Sequence, residues 1–258
     1  MKKIIWFLGL LSIICIGALG VYYYTVFDLN KLKMAVLIRL DDSNGSGVRI
    51  TPDYVITNHH VVGDSKKVQV INYKNEIEDG EVVLIHPYVD IAVIKLEKPN
   101  YNYARLYCYP PIFGQNVYAV GRSEFINIGF TPLRVSSNWF NFPSVEADKK
   151  IQDTAGPNRL LLTGRVTFGS SGSGIFMFDN SVIGIVDLIM TSRKTHDTMN
   201  FTVAVSMEDI CEWLEENDIP FKKSFTPNLS AMMKTIGYSN GYTNKQDLAN
   251  NMTNLLKR

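Results

Sequence analysis

The sequence predicts an all-β body of antiparallel strands, built as a sandwich or as barrels, behind an apolar N-terminal segment. Three observations carry this. Short β-branched and aromatic runs recur from Met34 to about Val205, with turn-forming clusters between them. No long helical period interrupts that stretch, which argues against βαβ architecture. Ile4–Phe27 contains no charged side chain. With 258 residues, 46% hydrophobic and 20% charged, the chain can bury a core and is not a disordered polypeptide. Its formal net charge of +1 argues against a dedicated nucleic-acid binder. Three cysteines are too few for a disulfide scaffold.

The first element is the apolar run. As a helix rising ~1.5 Å per residue, Ile4–Phe27 is long enough to cross a bilayer core of about 30 Å. Lys2 and Lys3 precede it, and Tyr22, Tyr23 and Tyr24 suit an interfacial belt. Its length favours an uncleaved signal anchor over a signal peptide cut after Ala18-Leu19-Gly20. Bulky Ile14 argues against lipidation at Cys15. The expected organisation is a single-pass membrane segment at 1–27, a folded domain at 28–220 and a polar tail at 221–258. The two N-terminal lysines favour a body outside the cytoplasm, although Lys31, Lys33 and Arg39 follow the run closely. In that compartment Cys108 and Cys211 are available for a disulfide, but nothing in the sequence says that they meet.

Strands are expected at Ala35–Leu40, Gly47–Ile50, Tyr54–Thr57, Lys67–Ile71, Gly80–Ile85, Ile91–Leu96 and Asn116–Val120. They continue at Leu160–Thr167, Gly174–Phe178, Val182–Ile189 and Phe201–Val205. Ser43-Asn44-Gly45, Asp79-Gly80 and Asp179-Asn180 read as turns. A helix is expected at Met207–Glu216. Ser206 caps it, Glu208 and Asp209 favour its first turn, and Ile210, Trp213 and Leu214 form its apolar stripe. Pro220 closes it. The tail is asparagine-rich, with one further helical pattern from Asn244 to Leu256.

Three local sequences carry chemistry, and their order matters. Thr57-Asn58-His59-His60-Val61-Val62 follows a strand. Asp90-Ile91-Ala92-Val93-Ile94-Lys95 opens one. Gly169-Ser170-Ser171-Gly172-Ser173-Gly174 is a loop. A nucleophilic hydroxyl needs a base, and the base needs an acceptor that fixes its tautomer. Histidine titrates near neutrality and suits that role. A glycine two residues before the serine lets the loop aim backbone N–H groups at a developing oxyanion. Each piece alone is weak: the histidine, the strand-start acid and the glycine-serine loop all have ordinary structural readings. Together, in the order His, Asp, Ser on an all-β chain, they point to nucleophilic catalysis.

With these segments the sequence resembles the trypsin-like (chymotrypsin-clan) serine proteases, closest to the HtrA-type protease domain. The resemblance runs from about Leu37 to Trp213. Gly45-Ser46-Gly47-Val48 and Ile50 through Val62 are similar to the family's first strands and histidine segment. Val182-Ile183-Gly184-Ile185-Val186 resembles the strand behind the specificity pocket. The resemblance implies two antiparallel six-stranded barrels with a C-terminal helix. It implies His60, Asp90 and Ser171 as the catalytic triad, with the N–H groups of Gly169 and Ser171 as the oxyanion hole. It implies a serine endopeptidase acting on protein or peptide substrates, without a cofactor. Ser170 stands where digestive relatives carry an aspartate, which argues against activation by N-terminal cleavage. Ser173 replaces a second glycine after the nucleophile. The tail is too short for the PDZ module that HtrA proteins usually carry.

Specificity is less legible. Arg165, six residues before the expected nucleophile, falls at the pocket base or points to solvent. Asp187 and Ile189 fall on the strand of the pocket wall. His86 and His196 lack the spacing of a metal site, and no metal is expected. A competing reading is a non-catalytic, membrane-anchored peptide-binding module on the same fold. A third is a hydrolase of esters.

Overall fold

The computed structural model describes residues 12–20, 29–41, 43–122, 129–137, 159–167, 169–191 and 198–224. Strands β1 (Ala35–Arg39), β2 (Asn44–Arg49) and β3 (Tyr54–Thr57) lead into a single helical turn, α1 (His59–Val62). Strands β4 (Lys67–Ile71), β5 (Ile77–Ile85) and β6 (Ala92–Leu96) follow. These six strands close into an antiparallel barrel in the order β1-β2-β3-β6-β5-β4. Burial alternates along β4, where Val68 and Val70 face inward and Lys67 and Gln69 face solvent. That two-residue period is what the sequence pattern read.

The second half contains β7 (Arg105–Leu106), β8 (Asn116–Gly121), β9 (Gly129–Ser137) and β10 (Arg159–Thr163). It ends with β11 (Gly174–Phe176), β12 (Ser181–Thr191), β13 (Thr198–Ser206) and the helix α2 (Met207–Glu216). Its sheet runs β11-β8-β9-β10-β13-β12, and pairing of β11 with β12 closes the ring. The two-residue β7 adds to β12 in parallel, outside the ring. The sandwich-or-barrel alternative is therefore resolved as two closed barrels.

Apolar side chains form three clusters. One fills the first barrel, around Ile38, Val70 and Ile94. Another fills the second, around Leu160, Ile175 and Ala204. The largest lies between the barrels, where Ile56 and Ile91 of the first meet Phe176 and Ile185 of the second. Met207, Ile210, Trp213 and Leu214 of α2 cover that seam. Each fully buried side chain of this kind contributes ~1.5–3 kcal/mol. The seam thus couples the two barrels into one unit. Ser206 caps α2 as expected, its Oγ accepting from Glu208 N at 3.3 Å.

Some local expectations are corrected. Asp79-Gly80 is not a turn; both residues lie inside β5. A Cβ at Gly80 would stand 2.5 Å from Ile94 Cγ2, so this glycine serves close packing of β5 on β6. The reversal falls at residues 72–76 instead, with Asn75 at φ 65°. Ser43-Asn44-Gly45 overlaps β2, which already starts at Asn44. Strands β7 and β9 were not expected from the sequence.

Residues 12–20 of the apolar run are helical and exposed. Among the described residues no helix is long and apolar enough to cross a membrane. The rest of the run at 4–11 and 21–27, and the expected helix Asn244–Leu256, lie outside the described residues. Lys31, expected as a charge flanking the run, is fully buried. Its ammonium donates to Phe178 O at 3.4 Å and sits over the Tyr118 and Phe178 rings. Cys108 and Cys211, 103 residues apart, form a disulfide that ties α2 to the segment after β7.

Candidate active site

The first barrel presents an imidazole and a carboxylate. Asn58 stands at the N-cap position of α1 without a side-chain capping bond, and the turn projects His60 to the surface with its side chain 49% exposed. Asp90 ends the β5–β6 loop and meets His60 at two points. One carboxylate oxygen accepts from His60 N at 2.8 Å. The other bonds to the ring at Nδ1. Buried Asn58 donates through Nδ2 to Asp90 O at 2.8 Å, which holds the loop to the helix. Burial raises the Asp90 carboxyl, but the hydrogen bonds and charge of His60, with the charge of His59, outweigh it and hold it below its ordinary value. The Asp90 bond to Nδ1 turns Nε2 away from the carboxylate, toward whatever it serves.

His86 shapes the same loop. Its Nδ1 accepts from Tyr88 N and Val89 N, both at 3.1 Å, and its ring lies 4.7 Å from that of Trp213. Burial lowers its pKa, against an opposing pull from Asp209. A histidine with no metal-site spacing in the sequence therefore supports the Asp90 loop.

The second barrel presents backbone. Gly169 and Gly172 both have φ near +84°, the left-handed region in which glycine is favoured. Amides of Ser170, Gly172 and Ser173 are used inside the fold, donating to Thr167 O, Val186 O and Ser170 O. Those of Gly169 and Ser171 meet no acceptor among the described residues. These two N–H groups, on either side of Ser170 and without a partner among the described residues, are available to a developing oxyanion beside the Ser171 hydroxyl.

The halves are joined through Ser46 of β2, a residue that sequence reasoning quoted only within a glycine-containing segment. Ser46 N donates to Ser171 O at 2.7 Å. Its hydroxyl donates to Arg122 O at 2.6 Å, with Gly169 O at 3.1 Å, and accepts from Arg122 N at 2.9 Å. Thr57 Oγ1 donates to Ser46 O at 2.7 Å. The packing leaves no room for side chains on either flank. A Cβ on Gly45 would lie 2.6 Å from Val61 Cγ2 and 3.3 Å from Ser171 O. One on Gly172 would collide with Ser46 O and lie 2.6 Å from Thr57 Oγ1. Gly45 thus has Val61, the neighbour of His60, on one side and the Ser171 backbone on the other. The only sequence signal for Ser46 was a run of three small residues.

The residues expected to line a pocket separate. Arg165 is exposed, and its Nη1 donates to Thr198 Oγ1 at 2.5 Å. Ile189 is half-buried against the core of the second barrel. Asp187 is buried and forms an ion pair with Arg159 of β10. Its carboxylate comes within 4.8 Å of the ligand atoms of His60 and Asp90. A cavity of about 300 Å³ also borders the serine loop, lined by Ser46, Arg122, Phe130, Thr167, Gly169 and Ser170 among others. His60, Asp90 and Ser171 are not among its lining residues.

Comparison with known proteins shows the family and the fold. Residues 45–185, more than half of the chain, match the family model of the trypsin-like peptidase domain. The chain is 38% identical over 166 residues to a probable periplasmic serine endoprotease, DegP-like, of Chlamydia trachomatis. That alignment covers 63% of this chain and 32% of the relative. A DegP-like protein of Ectopseudomonas mendocina is 30% identical, with 64% and 33% covered. The chain spans about a third of the length of these curated relatives. Among solved structures, the active form of the Rv3671c protease of M. tuberculosis superposes with a TM-score of 0.64 at 20% identity, covering 78% of this chain and 86% of that one. At that identity the likeness speaks for the fold alone.

Proposed function

Because the chain belongs to the trypsin-like peptidase family, we propose that it is a serine endopeptidase using Ser171, His60 and Asp90. One observation carries the reading most. A doubly bonded imidazole–carboxylate pair and a loop with two N–H groups unpartnered among the described residues flank the same glycine-lined seam. In this mechanism Ser171 Oγ attacks the scissile carbonyl while His60 takes its proton at Nε2. Asp90 keeps the tautomer and stabilises the imidazolium. The amides of Gly169 and Ser171 receive the oxyanion, and His60 returns the proton to the leaving amine. Water then hydrolyses the acyl-enzyme by the same path.

The site of action in this proposal is extracytoplasmic, with the N-terminal run as a single-pass tether. The apolar run, the periplasmic naming of the DegP-like relatives and the Cys108–Cys211 disulfide support it. The test is labelling by a fluorophosphonate probe. Wild type reacts, and Ser171→Ala does not. Labelling that survives Ser171→Ala and disappears in Ser173→Ala would overturn the assignment.

A further inference from the structure

Asp187 occupies a position that no regular ladder would give it. Strands β12 and β13 pair Val186 with Ala204 and Leu188 with Val203, so Asp187 is the extra residue of a bulge. A bulge re-aims one side chain and increases local twist. The residue before it is sewn to the serine loop. Val186 N donates to Ser173 O at 2.8 Å, and Val186 O accepts from Gly172 N at 3.0 Å. The re-aimed carboxylate is 6% exposed and comes within 4.8 Å of the Asp90 carboxylate and the His60 ring nitrogen.

Two carboxylates so close repel, and one of such a pair takes up a proton unless a cation offsets it. Arg159 is that cation. It starts β10, is mostly buried, and pairs through Nη1 with Asp187 Oδ2. It also lies within electrostatic reach of Asp90. The charged and titratable groups of the cluster are thus His59 and His60 on α1, Asp90 before β6, Asp187 on β12 and Arg159 on β10. With both histidines neutral, the two carboxylates and one guanidinium leave a single negative charge. Protonation of His60 brings the cluster to neutrality.

We propose that the Arg159–Asp187 pair is a positioning device for the His60–Asp90 dyad. Asp187 holds Arg159 off Asp90 and faces the imidazolium with a second negative charge as His60 takes the Ser171 proton. This rests on the triad reading above. The two partners have opposite effects on the base. Loss of Asp187 removes a negative charge and frees Arg159 to compete for Asp90, so the imidazole holds its proton less well. Loss of Arg159 removes the positive charge beside both carboxylates, so the cluster as a whole, His60 included, holds a proton better.

The test is the second-order rate of fluorophosphonate inactivation of the full chain as a function of pH. In Asp187→Asn the acid limb moves to lower pH by about one unit, and labelling at neutral pH slows about 10- to 100-fold. In Arg159→Gln the acid limb moves to higher pH. The double variant lies between the two and labels faster than either single variant. Acid limbs that stay in place, or that move in the same direction in both single variants, overturn the proposal. If Arg159→Gln does not fold, comparison of Asp187→Asn with the double variant decides, and coincident limbs overturn it. Wild type that is not labelled at Ser171 defeats the triad reading itself. Wild type that is labelled while the limbs stay fixed defeats this inference alone.

Discussion

The two barrels hold their shares of the site by different means. The first has one register shift, between Val82 and Leu84, and presents side chains. Its imidazole and carboxylate are fixed by hydrogen bonds from Asn58, from the His60 backbone and from within the His86 loop. The second has register shifts at Leu161/Leu162, Ile175/Phe176, Val186/Leu188 and Ile189/Thr191, and presents backbone. Its contribution is fixed by two positive-φ glycines and by the lack of space around Gly172. A regular barrel suits titratable groups, whose behaviour depends on partners and burial. An irregular one suits an anion-binding loop, whose behaviour depends on where N–H groups point. Changes in the first barrel should therefore alter pH behaviour and leave the fold intact. Changes in the glycine loop of the second should alter geometry and stability together, while its Arg159–Asp187 pair, which faces the dyad, should act on pH behaviour.

The largest expected effect tests the first half of that contrast. Asp90→Asn should lower the rate of probe labelling about 10⁴-fold, because the tautomer is no longer fixed. Its melting temperature should fall only by the modest amount that the lost Asp90 carboxylate contributes, as read by circular dichroism. A large loss of stability would break the contrast. Gly172→Ala tests the second half. It forces a side chain into a left-handed conformation, costing about 1–2 kcal/mol, and against Ser46 O. Labelling should fall at least about 100-fold, with a clear drop in urea midpoint, both read on the same preparation.

The seam between the barrels comes next. Replacing Cys108 and Cys211 together by serine should cost about 2–5 kcal/mol in urea unfolding, given the long loop that the bridge closes. Labelling of the folded fraction should change little, since neither cysteine borders the dyad. A smaller effect concerns acid. Both shifted groups of the Asp90 loop have folded-state values below their ordinary ones. For His86 the unfolded chain binds the extra proton, so its contribution is complete above about pH 6.5. It is lost as pH falls through the lowered folded value. For Asp90 the contribution is present above about pH 3.9 and is lost as pH falls through its own lowered value. Stability should thus decline in two stages on acidification, and His86→Gln should remove the first. The smallest effect is at the helix cap, where Ser206→Ala should cost about 1 kcal/mol and leave labelling unchanged.

Much of this architecture was readable residue by residue. Strands β3 and β4 and helix α2 lie where alternation, helical spacing and a serine cap put them. Strand β9 was hidden by Pro132, a residue that argues against a strand interior. It is tolerated because Tyr118 of β8 pairs there while the β10 ladder begins only at Arg134. Strand β7 has two residues, too few to show a period. Gly80 was read as a turn because its use, close packing against Ile94, lies on another strand.

The sequence by itself determined the all-β class, the order of histidine, aspartate and serine segments, and the capped terminal helix. Those are properties of short windows, where side-chain period and local capping decide the outcome. Only the tertiary structure decided that Cys108 meets Cys211, that Ser46 joins the barrels and that Asp187 turns toward the dyad beside Arg159. Each of these depends on strand register and barrel closure. At Asp187 a single extra residue in β12 breaks the alternation that would have set its side chain's direction.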